Sequence, residues 1–167
     1  MQKKVLTEQA LYFGEVKMPK HWEIDRTYLS NQILYSNLTN NEFLFSPTWD
    51  KLNRYITEHI NLKYKINLIN KKTWGNIYKP LEKKTFLLNV DPTDLKNSPD
   101  FTLLYGVNVE NCNIEIFYDD NRRKGKSHII PLKNNHFVML PTTNTYTVIN
   151  DQKNNLNFIQ TISYEFI

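Results

Sequence analysis

From residue 65 onward the chain is a succession of short apolar and aromatic runs cut apart by turn chemistry. The breaks are Asp91-Pro92, Ser98-Pro99-Asp100, Asp119-Asp120-Asn121, Asn134-Asn135 and the polar stretch Asn150-Asp151-Gln152-Lys153-Asn154-Asn155. Pro presets φ, and Asn, Asp and Ser bond their own backbone, so each cluster ends an extended segment. The runs between them predict strands over 65–69, 73–78, 86–90, 102–109, 113–118, 128–131, 136–140, 146–150 and 156–166. Many short strands at this spacing bury a core only by wrapping into a sandwich or barrel. A load of 10 Tyr and 9 Phe suits that end, because flat rings pack across neighbouring strands.

The first third reads differently. A short strand-like piece, Ala10–Val16, precedes two helical patterns. Ile24, Tyr28, Leu29, Ile33 and Leu34 recur near a 3.6-residue period and predict a helix over 25–35. Ser46 is a good N-cap and Pro47 fits the first helical position. Leu52, Tyr55, Ile56, His59 and Ile60 then share one face of a helix ending near Lys63, expected to lie over a sheet. No repeat or linker divides the chain, so one domain over 1–167 is expected, with 1–64 an elaboration on a 65–167 core. The last strand runs to the final residues Tyr164, Phe166 and Ile167, which predicts a buried or partner-covered end.

The net charge of +4 does not by itself point to nucleic acid, which demands clustered Lys and Arg. One cluster exists, Arg122, Arg123, Lys124 and Lys126, in an expected hairpin loop. It reads as an exposed turn, or as a contact surface for an acidic partner, since Arg forks bind carboxylate and phosphate. With Tyr118 as a stacking platform the same loop gives a nucleic-acid-binding alternative. The lone Cys112 forbids an internal disulfide and fits a reducing compartment as a buried thiol. The N-terminus holds no apolar run long enough for a signal peptide or membrane span, which predicts a cytoplasmic protein or one assembled from the cytoplasm.

Four histidines bear on metal chemistry. Only His21-Trp22-Glu23 has the same-face spacing of a ligand pair, and it follows Pro19 in an expected surface turn. His59 falls on a helix's apolar face, as a satisfied core or interface residue does. His128 and His136 open strands beside turns. No nucleophile elbow, P-loop, dinucleotide fingerprint or CxxC is present.

Three stretches, in order, carry a resemblance. They are Thr73-Trp74-Gly75-Asn76-Ile77-Tyr78-Lys79-Pro80; then Leu103-Leu104-Tyr105-Gly106-Val107 with Phe117-Tyr118-Asp119-Asp120-Asn121-Arg122; then Phe137-Val138-Met139-Leu140-Pro141-Thr142-Thr143 with Tyr146-Thr147-Val148 and Thr161–Phe166. Together they resemble the 2-oxoglutarate–Fe(II) oxygenases of marine bacteria and their phages. That resemblance implies a mostly β (α+β) fold, a double-stranded β-helix or jelly-roll sandwich, here with two N-terminal helices. It also implies where the family's ligands would stand. The proximal His-x-Asp falls at Asn89-Val90-Asp91, the distal His at Tyr146, and the cosubstrate's Arg near 157–159, where no basic residue occurs.

Neither Asn nor a protonated Tyr replaces a neutral imidazole on iron. Asn89, Asp91 and Tyr146 therefore read as a degenerate site with no catalytic or metal role and no cofactor. The chain also resembles small proteins of T4-like tailed phages of marine bacteria. The expected function is thus a non-catalytic virion structural or assembly protein (neck, tail or head), found in the virion or host cytoplasm. Its partners would be other virion proteins or further copies of itself, with no membrane. The alternative is a divergent 2-oxoglutarate/Fe(II) oxygenase, or hydroxylase, with a rebuilt metal site, for which Asp91 and one of His128 or His136 would have to converge.

Overall fold

The computed structural model describes residues 1–5, 8–40, 46–87, 93–94, 96–118 and 125–167. Asn89, Asp91, Arg122, Arg123 and Lys124 lie outside the described residues.

Two helices form where their caps and periods place them. In α1 (Arg26–Leu38) the Asp25 side chain accepts from the Tyr28 amide at 3.0 Å, and Leu29 and Ile33 are buried. In α2 (Pro47–Tyr64) the Ser46 hydroxyl accepts from the Trp49 amide at 3.2 Å, satisfying an otherwise orphaned donor. Lys65 ends α2 in a left-handed conformation at φ 59°. Trp49, Leu52, Ile56 and Ile60 are its buried face.

The strands are β1 (Tyr12–Glu15), β2 (Leu68–Tyr78), β3 (Lys83–Phe86), β4 (Phe101–Asn108), β5 (Cys112–Tyr118), β6 (Lys126–Leu132), β7 (His136–Pro141), β8 (Tyr146–Asn150) and β9 (Asn157–Phe166). One sheet has the order β1-β7-β4-β9-β2 and the other β3-β8-β5-β6, with antiparallel pairing throughout. From β2 to β9 the chain passes back and forth between the two sheets, winding them into a roll.

The larger sheet is buried on both faces. Leu103, Tyr105, Val107, Phe137, Met139, Ile162 and Tyr164 pack against Leu29, Ile33 and the apolar face of α2. Leu104, Val138, Leu140 and Ile159 face inward, against Ile114, Ile116, Ile130, Leu132 and Val148 of the smaller sheet. This double burial explains why β4 and β7 read as unbroken apolar runs while β5 alternates.

Three expectations need correction. Residues 65–69 and 73–78 are not two strands: β2 runs through them, and the register shift between Asn70 and Lys72 absorbs the extra residue as a bulge. β2 is a sheet edge with an exposed side, so the polar Asn70-Lys71-Lys72 stretch belongs to a strand and not to a turn. β3 begins at Lys83, earlier than its apolar residues suggested, because it too is an edge whose lysines face solvent. Within the chain the end is buried only as far as Tyr164, at 0% exposure, while Phe166 and Ile167 are exposed, at 52% and 65%.

Candidate functional site at the mouth of the roll

The register of the smaller sheet sets Phe86, Tyr146, Ile116 and His128 in one row across β3, β8, β5 and β6. At the β3–β8 end of this row a cavity of about 540 Å³ opens between the sheets. Its walls include Phe86 and Tyr146 from the smaller sheet and Lys72, Trp74, Thr102 and Ser163 from the larger. Strand alternation aims them there. Trp74 lies on the same face of β2 as Asn76 and Tyr78, and Ser163 on the same face of β9 as Thr161, whose hydroxyl accepts from the Asn76 amide at 3.2 Å.

The floor is aromatic. Tyr146 is 7% exposed and its ring stacks on Phe86, with centroids 5.0 Å apart and planes 18° apart. Tyr78 meets Phe86 edge-on at 6.5 Å. The Tyr78 hydroxyl is buried and has no hydrogen-bond partner among the described residues. Burial, then the nearby Tyr146, hold its phenol well above the ordinary value, and burial does the same to Tyr146. Both are neutral hydroxyls at neutral pH. Two ammonium groups stand at the rim: Lys71 pairs with Glu165 at 2.9 Å, and the Lys72 Nζ sits 5.5 Å above the Trp74 ring.

Three solved structures share this fold over nearly the whole chain. A prolyl-4-hydroxylase from Pseudomonas putida matches with a TM-score of 0.66 at 10% identity, covering 94% of this chain and 88% of that one. AviO1 from Streptomyces viridochromogenes matches with a TM-score of 0.62 at 13% identity, over 94% of this chain and 90% of that one. A Trichoplax adhaerens prolyl hydroxylase, solved with a hypoxia inducible factor peptide, gives 0.62 at 10% identity, over 93% and 83%. This is the 2-oxoglutarate–Fe(II) oxygenase fold. No family model and no curated protein matches the chain in sequence.

The oxygenase fold bears out the double-stranded β-helix expected from the three sequence stretches. It overturns the expected virion role: the solved structures sharing the fold include prolyl hydroxylases, an α-ketoglutarate-dependent carbocyclase and an epimerase, and nothing ties the chain to a particle. Among the described residues no helix is long and apolar enough to cross a membrane.

The structure separates the histidines named from sequence. His128 shares a sheet face with Tyr146, but two strands away, about 10 Å at the usual strand spacing. It is exposed and lines a different depression, with Tyr118 and Leu11. His136 opens β7 opposite Glu15, with Nδ1 2.9 Å from the Asn134 carbonyl. Five residues separate it from Pro141 at the mouth end, about 17 Å of extended strand. His21 and Glu23 are exposed in a turn closed by the Trp22 amide on the Pro19 carbonyl. Among the described residues His59 is only half satisfied: Nδ1 accepts from the Lys17 amide at 3.4 Å, while Nε2 is buried with no partner there. Burial, Lys63 and Lys17 lower its pKa. Lys126 begins β6 at the surface. Cys112 is buried between the sheets, its thiol pushed up to about 12 by burial and Asp151.

Asn157 begins β9 in the region where the resemblance would put the cosubstrate's arginine. It is fully buried, accepting from the Glu110 amide at 2.9 Å and the Gln152 side chain at 2.5 Å, and donating to the Glu110 carbonyl at 3.1 Å. Its amide pins the β4–β5 turn to the base of β9. Among the described residues no three His, Cys, Asp or Glu side chains come together as a metal set. The mouth's described side chains therefore do not fit iron. They do fit a small acid, for which Lys72 and the Thr102 and Ser163 hydroxyls are donors. Of these mouth residues, the stretches that carry the resemblance include Trp74, Tyr146 and Ser163, only Tyr146 as a site position, and they leave out Lys72 and Thr102. Only alternation with Trp74 could have marked Lys72, and nothing local marks the two hydroxyls.

Proposed function

We propose that this chain is a divergent protein of the 2-oxoglutarate–Fe(II) oxygenase class whose working site is the mouth of its roll, where it takes a small 2-oxo acid. The cavity of about 540 Å³ opening beside Tyr146 carries this reading, because it lies between the two sheets of an oxygenase fold and offers donors to a carboxylate. A volume in the range of small-molecule sites, with a few polar groups set among aromatic walls, is the usual form of a ligand pocket. The contribution of these residues is to bind and orient the acid and to keep water from its inner end.

Thermal unfolding with and without 2-oxoglutarate tests the reading. At a hundred times the dissociation constant a genuine ligand adds about 2.7 kcal/mol, a rise of several degrees in Tm for a chain of this size. Succinate, which lacks the 2-oxo group, is expected to give a smaller rise. No rise with either acid would sink the proposal.

A further inference from the structure

We infer that this mouth holds its acid without a divalent cation, the Phe86–Tyr146 ring pair standing where the fold's distal metal ligand would stand. The inference rests on the proposed acid-binding site and goes beyond it, since the class as a whole is defined by iron.

The argument is one of donors and distances. A first-row cation binds through ligand atoms about 2.0–2.2 Å away, and softer nitrogen donors give it much of its affinity in such sites. At position 146 the available group is a phenol whose ring lies face to face with Phe86. Turning that oxygen onto a metal would break the stack and unpack a side chain only 7% exposed. The two imidazoles nearest in chain order are not substitutes. His128 stands two strands along the row, and His136 lies at the far end of β7. Among the described residues no three His, Cys, Asp or Glu side chains come together as a metal set. A neutral phenol does not replace an imidazole in a facial set.

The acid, by contrast, needs only charge and donors. Lys72 brings an ammonium to the rim over Trp74, and Thr102 and Ser163 bring hydroxyls on facing strands of the same sheet. In the metal-dependent members the cation anchors one end of the cosubstrate; here the lysine rim and the two hydroxyls are the anchor. The ligand class is accordingly a small dicarboxylate or 2-oxo acid, held by ammonium and hydroxyl donors against an indole wall.

Calorimetric titration of the full chain with 2-oxoglutarate, once in EDTA and once in excess Mn(II), tests the inference. Equal dissociation constants within about twofold are expected. In parallel, the six-line electron paramagnetic resonance signal of free Mn(II) is expected to persist at stoichiometric protein with the acid present. Binding that appears only with Mn(II), or tightens tenfold with it, or a lost Mn(II) signal, overturns the inference and leaves the acid site standing. Absence of binding in both titrations removes the acid site itself, and the inference with it. Lys72→Met, an exposed position, is expected to weaken binding about tenfold with an unchanged Tm; an unchanged dissociation constant in that variant would displace the acid from this rim and overturn the assignment.

Discussion

Asn157 shows how much of a turn one buried amide can hold. Its oxygen and nitrogen both serve the β4–β5 turn through Glu110, and Gln152 adds a third bond in a site with no exposure to water. Asn150, equally buried, ties the neighbouring turn by donating to the Tyr78, Lys79 and Asn155 carbonyls at 3.0, 3.0 and 3.1 Å. Alanine at 157 would leave the Glu110 amide and carbonyl and the Gln152 amide without this partner. Stranding buried polar groups costs about 1–3 kcal/mol. Asn157→Ala is therefore expected to lower stability by about 2–3 kcal/mol in urea unfolding. Asn157→Arg, which would supply a basic residue near the position of the oxygenases' arginine, is expected to cost at least as much, because its charge would enter a network with no counter-ion. An arginine variant as stable as the parent would show that the network has room to rearrange. The sequence reading found that no basic residue stood near 157, and it read that only as loss. The bonds that Asn157 makes reach back 47 residues to Glu110, and no local pattern announces them.

At the scale of elements, the docking of α1 on β2 turns on a glycine. A Cβ at Gly75 would lie 2.6 Å from Ile33 Cγ1 and 2.8 Å from Cγ2, far inside contact distance. The Asn37 side chain, one turn beyond Ile33, donates to the Gly75 carbonyl at 3.1 Å and fixes the approach. Gly75→Ala is thus expected to destabilise by about 1–3 kcal/mol, as overpacking does. Ile33→Ala alone should cost about 2–5 kcal/mol as a buried truncation. The double variant is expected to lose less than the sum, because the alanine methyl enters space the isoleucine has vacated. Strict additivity in denaturant unfolding would mean that α1 does not rest on β2 at this point. Element by element, helices were the legible part, since Ser46-Pro47 and the apolar period on α2 act locally. Strands at sheet edges were the part misread. β2 and β3 carry lysines that a local reading takes for turns, and only their place at the rim of a sheet makes those lysines compatible with a strand.

For the whole molecule, the order of the strands decides what the sequence could disclose. Apolar runs announced a β sandwich, and their order matched the oxygenases, because burial and turn chemistry are written along the chain. The mouth is assembled from β2, β3, β4, β8 and β9, so its hydroxyls and lysines become neighbours only after the roll closes. Closure also isolates Cys112. It starts β5 between the sheets at 3% exposure, paired to Leu132 on one side and Asn150 on the other. Its thiol is held protonated, pushed up to about 12 by burial and then by Asp151, and the thiolate is the form that reacts. Both effects vanish only if the two sheets part. Labelling by an aromatic disulfide at pH 8 is therefore expected to be slow in the native protein. Its rate should rise with urea along the same slope as global unfolding, since partial opening at the β5–β6 hairpin end leaves Cys112 covered at the other end of the strand. A labelling rate independent of urea would reveal a local opening at the base of the roll. In that case the amide network of Asn150, Gln152 and Asn157, which closes this base, would be the place that yields first.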